Sequence, residues 1–167
     1  ARENVEKNLD DLLKFNLTRA DKEIERIEKS NQIQLTDEQK AKIQETLKPK
    51  FNEEMKKEAL SRIQTTTDYK GFSDVDLVIE AAVENVDLKR EIFSELDKNT
   101  RSHVVLATNT SSLSVTEIAS ATKRPEKVVG IHFFNPPVTL PLVEVIPGME
   151  TSEETVNDII DFMSTVR

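Results

Sequence analysis

The sequence predicts an α/β fold, a largely parallel sheet with interleaved helices, preceded by an N-terminal helical hairpin or bundle. Up to about residue 64, apolar residues recur at three- and four-residue spacings among charged ones, which is the period of amphipathic helices. From about residue 75, short apolar runs alternate with helical periods, the pattern of strand–helix units that feed parallel strands. Charge changes over the same stretch: residues 1–70 hold 15 basic and 15 acidic side chains, whereas 71–167 hold 8 and 16. The expected division is therefore 1–64, helical, and 65–167, strands and helices.

Taken in order, Val5, Leu9, Leu12, Leu13, Ala20, Ile24 and Ile27 predict one helix, or two in line, over residues 3–30. Thr36 and Gln39 in "LTDEQ" have capping-box spacing and should open a second helix carrying Ile43 and Leu47, which Pro49 ends. Phe51, Met55, Ala59 and Ile63 predict a third. "VDLVIEAAV" (75–83) reads as a strand buried on both faces, followed by a helix over 87–98 with Leu88, Ile92, Phe93 and Leu96 on one side. "HVVLATN" (103–109) repeats the strand signal, and Ser114 with Glu117 opens a short helix. "KVVGIHFF" (127–134) is a third strand, and "LVEVI" (142–146), after the proline-rich turn "NPPVTLP", a fourth. Thr151 with Glu154 should cap a last helix whose Val156, Ile159, Ile160, Met163 and Val166 share a face.

Composition removes several function classes. The net charge of −8 opposes a nucleic-acid or anionic-membrane surface, which needs clustered Lys and Arg. No apolar run reaches the eighteen residues of a membrane-spanning helix, and no targeting segment is readable, so the cytoplasm or an organellar matrix is the expected compartment. Without cysteine there are neither disulfides nor thiolate metal ligands. Metal binding is not expected, since His103, the first of the two histidines, begins a strand and no ligand cluster accompanies it.

In open parallel sheets ligands bind beyond the carboxyl ends of the strands. "EAAVEN", "TNTSS" and "HFFNP" end the first three runs, so their polar residues can converge on one crevice. His132 reads either as a satisfied histidine at a strand end or as a general base whose other ring nitrogen is held by a carboxylate. Glu144, a lone carboxylate inside "PLVEVI", is its best local partner, or else a solvent-facing residue of an edge strand. The hydroxyls of "NTSS" read as helix caps or as donors to a substrate oxygen, with no nucleophile elbow to favour covalent catalysis.

"DLVIEAAVEN", "LKREIFSELD", "ATNTSSLSVTEIASATKRPEKVVGIHFFNP" and "LPLVEVIPG", in this order, closely resemble the NAD-binding domain of L-3-hydroxyacyl-CoA dehydrogenases, including the 3-hydroxybutyryl-CoA group. "ENVEKNLDDLLK" is similar to the family's helix after its second strand. The resemblance implies a partial Rossmann-like fold, with 1–64 as the helical hairpin or insertion region of the domain and 65–167 as its remaining strand–helix part. It implies NAD as cofactor, an acyl-CoA substrate, and a parent that is a homodimer or part of a multifunctional complex. His132 then matches the general base, Glu144 its paired acid, and Ser111 the hydroxyl that contacts the substrate's 3-oxygen beside the cofactor. Glu84 and Lys89 match cofactor-contacting positions, and Asn109 belongs with Ser111 to the loop that contacts cofactor and substrate.

The sequence departs from the family in one respect that bears on the cofactor. Gly71, Gly130 and Gly148 are too dispersed to form the Gly-x-Gly-x-x-Gly turn that approaches a dinucleotide pyrophosphate. The expectation is a fragment of such a dehydrogenase, poorly active alone, that lacks the first strand–helix–strand unit and the C-terminal domain. Lys14 on the first helix is expected to be a solvated residue rather than a contact for a CoA phosphate. The alternative is a non-catalytic α/β interaction module that uses its helical region and needs no cofactor. A dehydrogenase acting on a free hydroxy acid is disfavoured by "NTSSLS" together with "HFFNP".

Overall fold

The computed structural model describes residues 2–137 and 140–166. Val138 and Thr139, in the turn expected over "NPPVTLP", lie outside the described residues. The chain divides into two compact units, residues 1–65 and 66–167.

The first unit contains α1 (Arg2–Asn31), α2 (Asp37–Thr46) and α3 (Glu53–Ser61). The first amphipathic stretch is thus one continuous helix, and Gln32, at φ 53°, takes the left-handed conformation that closes it. Thr36 and Gln39 form the expected capping box at α2. The side chain of Asn52 caps α3 by accepting from Met55 N. Ion pairs from Lys40 to Glu28 (3.0 Å) and from Lys56 to Asp10 tie α2 and α3 to α1.

The second unit is a four-stranded sheet in the order β1 (Leu77–Glu80), β2 (Val105–Thr108), β3 (Val128–Phe133), β4 (Val143–Pro147). The first three strands are parallel and β4 runs antiparallel to β3. Alternation along the strands gives two apolar faces. On one, Leu106, Val104 and Val128 pack with Phe93 and Leu96 of α4 (Val86–Asn99) and Val115 and Ile118 of α5 (Val115–Ala119). On the other, Val105, Ala107, Val129 and Ile131 meet Ile159 and Met163 of α6 (Glu153–Val166).

Two local expectations are corrected. The run 75–83 pairs only over Leu77–Glu80 and is not buried on both faces. It is one of the two edge strands among the described residues, with Ile79 39% exposed, and its ladder ends where Ala82 N turns onto the Glu80 carboxylate and Asn85 caps α4. At α6 the cap is Ser152, which accepts from Thr155 N. Thr151 is engaged elsewhere, its hydroxyl donating to Val128 O (2.6 Å) and accepting from Gly148 N (2.7 Å).

Candidate functional site at the strand ends

Strand register builds the site. On the face toward α4 and α5, Glu80, Thr108, Gly130 and Ile146 lie across the four strands in one row. Two residues farther along β3 on the same face is His132, paired in register with Glu144 of β4. The cross-strand position brings His132 Nδ1 within 2.8 Å of Glu144 Oε2. On the other side of the ring, Nε2 lies 3.1 Å from Ser111 Oγ. A neutral imidazole facing a carboxylate through Nδ1 carries its proton there. The network therefore assigns Nδ1–H as donor to Glu144 and Nε2 as acceptor from the Ser111 hydroxyl. Phe134 stacks obliquely on the ring, with centroids 5.0 Å apart, and further limits its rotation. The His132 side chain remains 18% exposed.

Between β2 and α5 the chain forms a short loop whose last residue, Ser114, caps α5 through Glu117 N. Glu84, in the turn after β1, organises that loop. Its Oε1 accepts from Thr110 Oγ1 (2.5 Å), Ser111 N (3.0 Å), Ser112 N (3.3 Å) and Ser112 Oγ (3.4 Å). Burial pulls the Glu84 carboxyl upward, but these hydrogen bonds and the Lys89 ammonium outweigh it and hold the group below its ordinary value. Asn109 braces the same end of the sheet: its Oδ1 accepts from Phe133 N at 2.9 Å, next to His132.

Lys89 occupies a different environment from the one expected of a residue that meets a cofactor. It is fully buried on α4, and its ammonium donates to both oxygens of Glu80 (2.8 and 3.0 Å) and to Ala82 O (3.3 Å). Glu84 Oε2 stands 3.6 Å away. Glu80 also accepts from Thr108 Oγ1 at 2.7 Å. Sequence reasoning missed Glu80 and Thr108. The available signal for Glu80 was a carboxylate inside the apolar run "DLVIEAAV", the same reasoning that singled out Glu144.

His132, Glu144, Ser111, Glu84, Asn109 and Lys89 are therefore linked through contacts at one end of the sheet. Among the described residues no group of three or more His, Asp or Glu is arranged to hold a metal ion. The line from Glu144 through His132 to Ser111 can take a proton at Nε2, and Glu84 presents a partly exposed carboxylate beside it.

A family model described as the NAD-binding domain of 3-hydroxyacyl-CoA dehydrogenase matches residues 5–167. The chain belongs to this family. A 3-hydroxybutyryl-CoA dehydrogenase of Clostridioides difficile is 47% identical over 119 residues, covering 71% of this chain and 42% of that protein. The alpha subunit of a fatty acid oxidation complex from Acinetobacter baumannii is 50% identical over 99 residues, 59% of this chain and 14% of the subunit. Among solved structures, an (S)-3-hydroxybutyryl-CoA dehydrogenase from Ralstonia eutropha superposes with a TM-score of 0.68 at 36% identity, covering 80% of this chain and 50% of that one. The chain thus spans half or less of the length of these relatives.

NAD is the cofactor of this family's domain. The donor set at the strand ends fits its nicotinamide–ribose end, because Glu84, 41% exposed, offers a carboxylate to ribose hydroxyls or a carboxamide N–H. The same cluster sets two carboxylates against one ammonium, which does not suit a pyrophosphate.

Proposed function

We propose that the protein acts as an NAD-dependent L-3-hydroxyacyl-CoA dehydrogenase, interconverting a 3-hydroxyacyl-CoA and the 3-oxoacyl-CoA in fatty-acid β-oxidation or butanoate metabolism. The observation that supports this reading most is the Glu144–His132–Ser111 line, which leaves a basic Nε2 at the mouth of the sheet. His132 is the general base. Its Nε2 receives the proton of the substrate's 3-hydroxyl, while Glu144 on Nδ1 holds the tautomer and stabilises the imidazolium as it forms. Ser111, whose Oγ lies 3.1 Å from Nε2, would bond the same substrate oxygen as alcohol and as ketone. When bound, NAD supplies the acceptor for the hydride leaving C3.

Glu84 would hold the nicotinamide–ribose portion, and Lys89 would contribute charge from beneath it rather than by direct contact. Asn109 serves the site by fixing the β3 end that carries His132. In this reading residues 1–64 are the helical hairpin or insertion region of the NAD-binding domain and 65–167 its strand–helix part. The reading includes a parent that is a homodimer or part of a multifunctional complex, in the cytoplasm or an organellar matrix; the complex alone has support from a named relative, the alpha subunit of a fatty acid oxidation complex.

The test is titration of the full chain with NADH, with and without acetoacetyl-CoA, followed by NADH oxidation on the same sample. Saturable binding is expected, with any turnover falling about 10²- to 10⁴-fold in His132→Ala, the usual contribution of a positioned acid–base group. Turnover that persists in His132→Ala, or a folded chain that binds neither ligand, overturns the reading. Partner binding that survives this substitution would instead favour an interaction module.

A further inference from the structure

The buried Glu80–Lys89 pair plays no part in the proton transfer proposed for His132, yet it lies on the same sheet face and two residues below it. Ladder register puts Glu80 opposite Thr108, whose hydroxyl it accepts at 2.7 Å, and Ala82 N caps its other oxygen at 2.5 Å. Its side chain is 3% exposed and that of Lys89 1%, so each charge depends on the other.

We propose that Glu80 is a positioning residue of the dehydrogenase site, acting through Lys89: it satisfies the buried ammonium, leaving Glu84 to the 110–112 loop and so fixing Ser111 against His132. This deepens the dehydrogenase reading and rests on it. The distances give the reason. The Lys89 ammonium has three protons, and they are directed to the two Glu80 oxygens and Ala82 O. Glu84 Oε2, at 3.6 Å, lies beyond a hydrogen bond, while Glu84 Oε1 takes the loop donors from Thr110, Ser111 and Ser112. Without the Glu80 charge, Glu84 is the nearest remaining carboxylate to a buried cation. Drawing it inward to pair with Lys89 pulls Oε1 off the Ser111 and Ser112 amides. The loop then loses the anchor that places Ser111 Oγ 3.1 Å from His132 Nε2.

The experiment follows the Ser111 and Ser112 amide resonances of the ¹⁵N-labelled full chain, since a charge-assisted hydrogen bond to a carboxylate moves an amide proton strongly downfield. In Glu80→Gln both amide protons are expected to move upfield and to exchange faster. In Glu80→Gln/Lys89→Met the ammonium is removed with its partner, Glu84 has no cation to follow, and both resonances return to their wild-type positions. A folded single variant with unchanged resonances, or a double variant in which they stay displaced, overturns the proposal. If the single variant does not fold, the double decides alone: wild-type positions support the proposal and displaced ones overturn it. A structural role for Glu80 unconnected with Lys89 predicts no such restoration. No cofactor is present in the measurement, so a failure of the wild-type chain to bind NADH would count against the dehydrogenase reading and leave the amide result standing.

Discussion

Glu84 is a carboxylate whose ionised form the surrounding donors favour. One of its oxygens serves two backbone amides and two hydroxyls, and these donors, with Lys89, hold its carboxyl below the ordinary value of about 4.3. A carboxyl depressed in the folded state stabilises the fold when ionised. That contribution is complete above the ordinary carboxylate value and disappears as pH falls through the lowered folded value. Glutamine at position 84 keeps the shape but has no charge to titrate. Wild type is therefore expected to exceed Glu84→Gln in stability by a constant amount near neutrality, with the gap closing in the acid range. Urea unfolding of both proteins at a series of pH values measures it, and a gap that widens on acidification would contradict the assignment. The side chain is 41% exposed, so solvent screens its interactions and the gap is small.

At the scale of elements, Gly130 shows how packing against α5 shapes the site. A Cβ there would stand 3.0 Å from Ile146 Cβ, 3.1 Å from Val115 Cγ2 and 3.2 Å from Ile146 O. The glycine thus lets the first turn of α5 lie close over the sheet, one row below His132, and that turn follows directly on the Ser111 loop. Gly130→Ala is expected to cost about 1–3 kcal/mol as an overpacked core position, read as a lowered urea midpoint. Because α5 and β4 must both give way, the Ser111 and Glu144 amide resonances should shift as well. A neutral substitution would show that the helix can lift freely.

The same elements show which parts of the site were legible in the sequence. Repeating apolar runs marked β2 and β3, and Ser and Thr three residues ahead of Gln or Glu marked α2 and α5, because both signals are local. The end of β1 was misjudged, since whether an apolar run pairs along its whole length depends on neighbouring strands. Thr151 was misjudged because its hydroxyl is taken by a backbone carbonyl 23 residues away, which spacing does not encode. Glu80 was overlooked for a related reason: its significance comes from Lys89 and Thr108, both brought to it only by the fold.

Across the whole molecule, the two units differ in what holds them together. Among the described residues, Leu13 and Ile24 are the buried apolar side chains of residues 1–65, whereas the sheet unit buries both of its faces under helices. The first unit instead relies on caps and on ion pairs such as Lys40–Glu28, whose side chains are 37% and 25% exposed. Pairs of that exposure contribute about 1 kcal/mol or less, while each buried large apolar side chain contributes about 1.5–3 kcal/mol. The helical unit should therefore unfold at lower denaturant than the sheet unit. Two probes separate them without labels. Tyr69, the chain's single tyrosine, lies in the second unit with its ring edge-on to Phe72 at 5.3 Å, and there is no tryptophan. Helical far-UV dichroism, by contrast, comes more from the first unit, whose α1, α2 and α3 span 30, 10 and 9 residues, than from the second, whose α4, α5 and α6 span 14, 5 and 14. In urea, the dichroism is expected to fall in an early phase while tyrosine fluorescence keeps its folded value, and the two to converge only when the sheet unfolds. Coincident transitions would mean that the units unfold as one cooperative body and that the helices draw their stability from more than their own packing.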